Sequence, residues 1–243
     1  MTDGVRPDIS IVVPVHDESG AAGPLAREIA EAFAGRSHEI IFVNDASRDS
    51  TLAELTALKP ELPQLRVLSH GTNAGQSRAV RTGVLAARGD VVVTLDGDGQ
   101  NPPADAPKLA DILLSSPPEV ALVGGVRASR QDTEAKRWAS RWANRIRKRL
   151  LNDDADDTGC GLKAFRREVF LRLPYFDHIH RYLPALMIRE GYQNRYVEVG
   201  HRHRETGRSK YTNWGRLRAS FSDLVGVMWL KSRARRPGAV REV

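Results

Sequence analysis

Residues 91–103 read VVVTLDGDGQNPP, and this stretch decides the fold because a short apolar run ends there on two carboxylates. A run of β-branched residues predicts a buried strand, and acids at its exit project into a cleft at a fixed separation. Asp96 and Asp98, with Gln100 two residues further on, are therefore candidate ligands of a hard divalent cation, which prefers oxygen donors.

The sequence on both sides of this stretch repeats the pattern of short apolar runs. Strands are predicted near Ile9–Val13, Glu39–Val43, Leu65–Leu68, Val91–Leu95 and Val120–Val123. Helical periodicity separates them, as in Pro24–Phe33 and Thr51–Leu58. Continuous apolar strands alternating with amphipathic helices predict an α/β fold, a mostly parallel sheet with helices on both faces. Ligands of such sheets bind at the carboxyl ends of the strands.

Two more predicted strands run into polar residues at this same edge. The first leads into Pro14, His16 and Glu18, and the second leads through Val43 into Asp45. A carboxylate at such a strand end can accept a hydrogen bond from a ribose or from a base N–H. Each acid taken singly could also be an ordinary turn or capping residue, but three acidic strand ends on one edge favour a ligand site.

The net charge of +7 is unevenly distributed along the 243 residues. Residues 1–100 carry 9 Lys or Arg against 14 Asp or Glu, whereas residues 101–243 carry 28 against 16. The excess concentrates in Lys136 to Arg149, Arg202 to Lys210 and Lys231 to Arg241. Such density favours a phosphate-bearing partner, and composition leaves open nucleic acid, a lipid surface and a small molecule.

Cysteine usage and hydropathy exclude several classes of protein. Cys160 is the single cysteine, so no internal disulfide can form and a reducing compartment is expected. The N-terminus lacks the pattern of a signal peptide. The longest apolar runs, such as Val120–Val126 and Leu224–Leu230, are shorter than the ~20 residues that a membrane span needs, so no transmembrane helix is predicted.

Two segments of the second half have helical periodicity. In Thr133–Leu151, the tryptophans Trp138 and Trp142 stand among seven Lys or Arg, which is typical either of a membrane-interface helix or of a helix docked on the sheet with a solvated basic face. In Leu217–Leu230, one side presents apolar residues for which core packing is the favoured interpretation. These are Leu217, Phe221, Leu224, Val225 and Met228.

Two further segments combine glycines with charged residues. Residues 157–167 pair Asp157 with two glycines and flanking cations, and they are either a ligand loop or an ordinary loop that enters the next helix. Residues 201–211 place Arg and Lys around a Gly/Ser turn and can clamp a diphosphate, or they form a solvated charge run. The pair His201 and His203 has no third ligand nearby, so zinc is not expected.

Taken in order, these motifs resemble the family 2 glycosyltransferases of GT-A fold, specifically the polyprenyl-phosphate (dolichyl-phosphate mannose synthase-like) hexose synthases. The matching segments are VVPVHDE, VNDASRDST, DGDGQNPP, GGVR, DTGCGLKAFRRE, HRYLPAL and HRHRETGRSKY, which together span roughly residues 8–230. The resemblance implies a GT-A domain over residues 1–230, followed by a basic tail over residues 231–243.

The resemblance also implies roles for individual residues. Metal binding, of Mg²⁺ or Mn²⁺, falls to Asp96, Asp98 and Gln100. The nucleotide sugar is held by Pro14, His16, Glu18, Val43, Asp45, Asp96, Gly97, Arg202, Ser209 and Lys210. The acceptor phosphate meets Arg127, Arg181 and Arg204, and the catalytic residues are Asp98, Asp157 and Arg127.

The implied reaction is metal-dependent, inverting transfer of a hexose-type sugar from a UDP- or GDP-sugar to a polyprenyl phosphate. Asn44 stands where these enzymes usually have a first Asp, and His16 where they often have Tyr, so the nucleotide base is not assigned. The expected location is the cytoplasmic face of a membrane, with peripheral attachment through basic and aromatic surface or through a small membrane partner protein.

Two other functions stay open on the sequence alone. One is a family 2 enzyme with a hydroxyl acceptor, which would need a true base near Asp157. The other is a non-catalytic protein that binds membrane or nucleic acid through its basic clusters. Nucleic acid is not expected, because the clusters hold few aromatics placed for base stacking.

Overall fold

The first four strands of the chain form one side of a seven-stranded sheet. The computed structural model describes residues 6–127, 147–155, 157–202 and 213–235; in the last range, side chains are described from residue 221 onward. The strands are β1 (Ile9–Val15), β2 (His38–Asn44), β3 (Leu65–Ser69), β4 (Val91–Thr94), β5 (Val120–Arg127), β6 (Lys163–Arg166) and β7 (Gln193–Val199). The helices are α1 (Ala22–Ala32), α2 (Thr51–Ala57), α3 (Gln76–Ala86), α4 (Ala106–Leu114), α5 (Arg167–Arg172), α6 (Leu183–Glu190) and α7 (Asn213–Ser232).

Within these residues, the strands make one seven-stranded sheet in the order β3-β2-β1-β4-β6-β5-β7. β1 pairs in parallel with both β2 and β4, and β5 pairs in parallel with β7. β6 alone runs antiparallel, between β4 and β5. All five predicted strands are present, and the sheet is mostly parallel as predicted.

Helices cover both faces of the sheet, because its central strands are apolar on both sides. Val91 and Val93 of β4 face a core completed by α1, α2 and α4, whereas Val92 faces a core completed by α3, α5, α6 and α7. Gly83 lets α3 lie directly on β1, since a Cβ there would stand 2.4 Å from Val12 Cγ1. This two-sided burial fixes the strands that carry the acids.

β6 and β7 were not predicted from the sequence. Residues 157–167 were interpreted as a loop, either for a ligand or into a helix, but Lys163–Arg166 pair with β4 and β5. This strand has four residues, and Ala164 packs in one core while Phe165 packs in the other. A strand of this length is too short to show a periodic pattern. β7 lies at the edge of the sheet and is largely polar, so it lacks the apolar run of a central strand.

The last helix is present as α7, and its predicted core face is correct at Leu224 but wrong at three other residues. Leu217 lies outside the residues whose side chains are described. Phe221, Val225 and Met228 are exposed, and α7 packs through the predicted Leu224 together with Val227 and Leu230. Both stripes of the helix are apolar, so periodicity could not choose between them.

No helix among the described residues combines the length and the apolar character that crossing a bilayer requires. The tryptophan-bearing part of Thr133–Leu151 lies outside the described residues. The last five residues of this segment, 147–151, are described and are helical.

Candidate active site

Three acidic strand ends meet at one edge of the sheet, as the parallel pairing requires. In the register, Val15 of β1 is opposite Asn44 of β2, and Val12 of β1 is opposite Thr94 of β4. Gly97 allows the segment after β4 to lie against the end of β1, because a Cβ there would stand 2.7 Å from the carbonyl oxygen of Pro14. The edge therefore brings Pro14 and Asp96 to the same cleft.

Asp96 is an electrostatically crowded carboxylate at this edge. Burial raises its pKa, and the neighbouring charge of Asp98 raises it further, against the opposing charge of Lys163. Gln76 Nε2, at the start of α3, donates a hydrogen bond to Asp96 Oδ1 at 2.8 Å. Two carboxylates close enough to repel each other form a site in which a cation would be stabilising.

The segment after Asp98 is held in place by backbone hydrogen bonds. The N–H of Gln100 donates to Asp98 Oδ1 at 3.2 Å, and the carbonyl of Gln100 accepts from the N–H of Arg202 at 2.8 Å. The Arg202 guanidinium donates to Glu28 of α1 at 2.7 Å. The chain after β7 thus lies against Gln100, and it brings Arg202 to the same edge as Asp98.

The turn at residues 157–162 backs onto Asp96. A Cβ on Gly161 would stand 2.2 Å from Asp96 Cγ, so only glycine admits the carboxylate at this distance. Thr94 Oγ1 donates to the carbonyl of Gly161 at 2.9 Å and fixes the turn against β4. The glycines of this segment were predicted to allow either close approach of a ligand or an ordinary loop, and Gly161 allows close approach of Asp96.

Arg127 and Asp157 form a paired group at the end of β5. Arg127 Nε and Nη2 donate to the two Asp157 oxygens at 2.6 and 2.8 Å, and the side chains are 14% and 9% exposed. Burial alone would lower the pKa of Arg127, but the hydrogen bond and charge of Asp157 raise it overall. Both residues were predicted for the site. Their pairing was not predicted. It places the Arg127 guanidinium on Asp157, so this carboxylate is not available as a base.

Lys163 of β6 is a buried cation that the sequence interpretation left out of the site. Its Nζ donates to the carbonyl of Cys160. Burial lowers its pKa, while the charges of Asp96 and Asp157 act in the opposite direction. A small cavity beside Asp96 is lined in part by Lys163, Gln76 and His180. Lys163 begins the four-residue strand Lys-Ala-Phe-Arg, whose two charged ends gave no sequence signal of a buried strand.

At the other end of the cleft, Asp45 already has internal donors. Its carboxylate accepts from the N–H groups of Ala74 and Gly75 at 2.9 and 2.8 Å, and it lies 2.7 Å from Nδ1 of His70. Asp45 thus fixes the turn into α3, which carries Gln76. His16 Nδ1 lies 2.8 Å from the carbonyl oxygen of Asp45, so these two predicted nucleotide-site residues are adjacent.

The remaining predicted site residues lie in the core, in turns or outside the described part of the chain. Val43 is fully buried in the core beside α3, and the N–H of Glu18 donates to Thr51 Oγ1 at 2.9 Å. Arg181 lies in a 3-10 turn, Ile179–Arg181, that precedes α6. Arg204, Ser209 and Lys210 lie outside the described residues.

Comparison with known protein families assigns most of the chain to one family. The model of the family described as Glycosyl transferase family 2 matches residues 10–173. The chain belongs to glycosyltransferase family 2. This membership confirms the family, and with it the enzyme class, predicted from the motifs.

Curated relatives of this family 2 chain are similar over most of its length. Dodecaprenyl-phosphate galacturonate synthase of Rhizobium johnstonii is 33% identical over 237 residues, which cover 95% of this chain and 69% of the relative. Undecaprenyl-phosphate 4-deoxy-4-formamido-L-arabinose transferase of Pseudomonas aeruginosa is 34% identical over 224 residues, 90% of this chain and 65% of the relative. The chain thus spans about two thirds of the length of these relatives.

Solved structures share the fold of this family 2 domain. Glucosyl-3-phosphoglycerate synthase from Mycobacterium tuberculosis, in complex with Mg²⁺ and uridine diphosphate, aligns with a TM-score of 0.67 at 18% identity, covering 96% of this chain and 82% of that one. A mannosyltransferase from Pyrobaculum calidifontis, in complex with GDP-Man and Mn²⁺, aligns with a TM-score of 0.66 at 19% identity, covering 97% and 67%. These likenesses confirm the predicted GT-A fold class.

Proposed function

We propose that this chain transfers a hexose-type sugar from a UDP- or GDP-sugar to a polyprenyl phosphate, in a metal-dependent reaction that inverts the anomeric carbon. One observation carries the proposal. The repelling pair Asp96 and Asp98 and the Arg127–Asp157 pair lie at one end of the sheet, in a chain whose relatives are named for transfer to dodecaprenyl and undecaprenyl phosphate.

The residues at the end of β4 fit a hard divalent cation. Asp96 and Asp98 supply carboxylate oxygens whose mutual repulsion a cation would relieve, and Gln100 supplies a neutral oxygen donor nearby. These three residues would hold Mg²⁺ or Mn²⁺. When bound, such an ion supplies positive charge where the departing nucleoside diphosphate becomes more negative.

The acceptor chemistry fits the Arg127–Asp157 pair. A phosphate monoester with a second pKa near ~6 is largely a dianion at neutral pH, so it needs no general base to attack a sugar carbon. Asp157 is occupied by two hydrogen bonds from Arg127, which suits orientation of the sugar or acceptor better than proton abstraction. We propose that Arg127 and Arg181, with Arg204, receive the acceptor phosphate.

The proposed displacement is direct. An acceptor phosphate oxygen forms the new bond to the anomeric carbon as the bond from that carbon to the donor diphosphate breaks, with the electron pair leaving on the diphosphate. A retaining route would need an unencumbered carboxylate as nucleophile. Of the two predicted catalytic carboxylates, Asp98 is proposed as a metal ligand and Asp157 is paired with Arg127, which supports a single step and inversion.

The nucleotide is proposed to bind at Pro14, His16 and Glu18, beside the turn that Asp45 fixes.

We also propose that the chain works at the cytoplasmic face of a membrane as a peripheral protein, since the basic excess of residues 101–243 suits both an anionic leaflet and a phosphate acceptor.

The test is incubation of the purified chain with a panel of UDP- and GDP-sugars, polyprenyl phosphate and either Mn²⁺ or Mg²⁺, followed by mass spectrometry of the lipid fraction. A polyprenyl-phosphate sugar whose formation stops with a chelator and returns with added metal is expected. Proton NMR of the product then reports whether the anomeric configuration is opposite to that of the donor.

A parallel arm replaces the lipid with hydroxyl acceptors, both plain and phosphorylated. Transfer to a hydroxyl with none to polyprenyl phosphate would overturn the proposed acceptor. Absence of lipid product across the donor panel, from a protein that is folded by circular dichroism, would overturn the proposed reaction.

A further inference from the structure

The outer face of α7 exposes large apolar side chains that no part of the proposed reaction uses. Phe221 is 71% exposed, Val225 51% and Trp229 58%, and Met228 is also exposed. Their spacing of three and four residues places them on one side of the helix. These four residues are called here the α7 apolar face.

This exposure does not come from a loosely attached helix. On the opposite side, Val227 is buried, and Leu224 and Leu230 pack against the core. Arg189 Nε donates to the carbonyl of Leu230 at 3.1 Å, and Lys231 Nζ donates to the carbonyl of Leu151. The helix is therefore attached through one stripe and presents the other to its surroundings.

The charges around the α7 apolar face are of one sign. Residues 221–235 contain one carboxylate, Asp223, and it turns inward to lie 2.8 Å from His178 Nδ1. Arg233 and Arg235 follow the apolar residues and are exposed. An aromatic and aliphatic stripe followed by exposed arginines suits the headgroup region of an anionic bilayer, where indole rings and guanidinium groups are both stabilised.

We propose that the α7 apolar face docks on an anionic lipid surface, with Phe221 and Trp229 inserted at headgroup depth and Arg233 and Arg235 against lipid phosphates. A second copy of the chain fits less well, since four side chains are far fewer than the ~20 residues a side of a stable protein interface. This inference deepens the proposed function and rests on it for the need to reach an acceptor held in a membrane.

The same helix also touches the acceptor side of the site. His178, which Asp223 of α7 contacts, immediately precedes the turn Ile179–Arg181. This contact attaches α7 to the segment that leads into the turn carrying Arg181.

The experiment measures binding of the full chain to vesicles of phosphatidylglycerol and phosphatidylcholine, and to vesicles of phosphatidylcholine alone, by co-sedimentation. The double variant Phe221→Ser/Trp229→Ser is expected to bind the mixed vesicles at least tenfold more weakly. Arg233→Gln is expected to cost about fivefold on mixed vesicles and little on phosphatidylcholine. Leu114→Ser is the matched control, because Leu114 is 50% exposed on α4, which packs on the other face of the sheet.

Equal vesicle binding by the double variant and the control would overturn the inference. It would also be overturned if the wild-type chain formed a dimer in solution that the double variant lost while vesicle binding stayed unchanged.

A second readout separates this inference from the proposed function. Transfer is measured with a short-chain, water-soluble prenyl phosphate and with polyprenyl phosphate in vesicles, and the double variant is expected to lower the ratio of vesicle to soluble activity. If the wild-type chain transferred sugar to neither acceptor, the proposed function would fail, while the vesicle-binding comparison would still decide the docking surface.

Discussion

Two carboxylates at opposite ends of the same sheet have opposite electrostatic environments. Glu39, near the start of β2, accepts hydrogen bonds from Ser10 at 2.7 Å, from the N–H of Arg88 at 2.6 Å and from Arg66. Burial alone would raise the pKa of Glu39, but these donors outweigh it and hold the pKa below its usual range. At the other end, burial and the charge of Asp98 raise the pKa of Asp96.

The difference separates stability from function. At the amino end of the sheet, three hydrogen-bond donors surround the Glu39 carboxylate, so that ionised Glu39 stabilises the fold. At the carboxyl end, the charge of Asp98 acts against the charge of Asp96, and a bound cation would relieve this repulsion. Substitutions at the two ends should therefore have different consequences.

The largest expected effect is at Asp98. Asp98→Asn should lower sugar transfer by about 10²–10³-fold, because it removes one of two charges proposed to hold the metal. Its unfolding free energy should not fall, since the repulsion that raises the pKa of Asp96 is relieved. Transfer is measured over a Mn²⁺ titration, with Asp111→Asn on the surface of α4 as the control. Wild-type transfer at limiting metal would show that Asp98 is not a ligand.

Gly161→Ala comes next. A Cβ 2.2 Å from Asp96 Cγ must displace the carboxylate, and a shift of about 1 Å in a catalytic group can cost ~100-fold in rate. Gly71→Ala is the control, because nothing lies within 4 Å of the Cβ it would add. Measured kcat/KM should fall for the first variant alone. Equal kcat/KM in both would mean that the turn does not fix Asp96.

Part of this arrangement can be predicted from the sequence because it is local. Asp96 and Asp98 directly follow a buried strand, so the same few residues predict both the strand and the position of the two acids at its end. The partners of Asp96 are distant in sequence: Gln76 begins α3, and Lys163 and Gly161 lie in or beside β6. Only the folded sheet brings them together, and the strand β6 is too short and too fully buried to give a periodic signal.

The apolar face of α7 shows a second limit. Leu224, Val227 and Leu230 form one stripe and Phe221, Val225 and Met228 another, and both are hydrophobic. Hydrophobicity identifies the helix but does not say which stripe meets the core. That choice depends on the shape of the surface beneath, which includes α6.

Glu39→Gln tests the amino end of the sheet. The variant should lose about 2 kcal/mol of unfolding free energy at pH 7, because a charged acceptor with three donors becomes neutral. Since the folded pKa is lowered, the stabilisation is present above about pH 4.5, the ordinary value, and is lost as the pH falls below it. Urea unfolding at pH 7 and in acid should show wild type and variant converging, with kcat at pH 7 unchanged. A difference that persists in acid would assign the effect to packing.

The smallest expected effect is at Gln76. Gln76→Ala removes one hydrogen bond to Asp96, and transfer should fall about tenfold, equivalent to about 1.4 kcal/mol. Gln76→Asn keeps the amide on a shorter arm and should fall between the alanine variant and wild type. Initial rates at saturating donor give the comparison. If asparagine were no better than alanine, the hydrogen bond would not be the cause.

The position of β6 also affects the order in which the protein is made. β4 and β5 are not neighbours in the sheet, because β6 lies between them. β6 can take this place only after residues 163–166 have left the ribosome. Until then, the nascent chain carries β4 with an open edge, which is a site for pairing with other chains. Closing a loop of roughly 70 residues costs about 4 kcal/mol of chain entropy, so we expect β6 to insert late in folding. Because Gly161 reaches Asp96 only at that step, a substitution that weakens β6 should reduce the yield of soluble protein together with its activity.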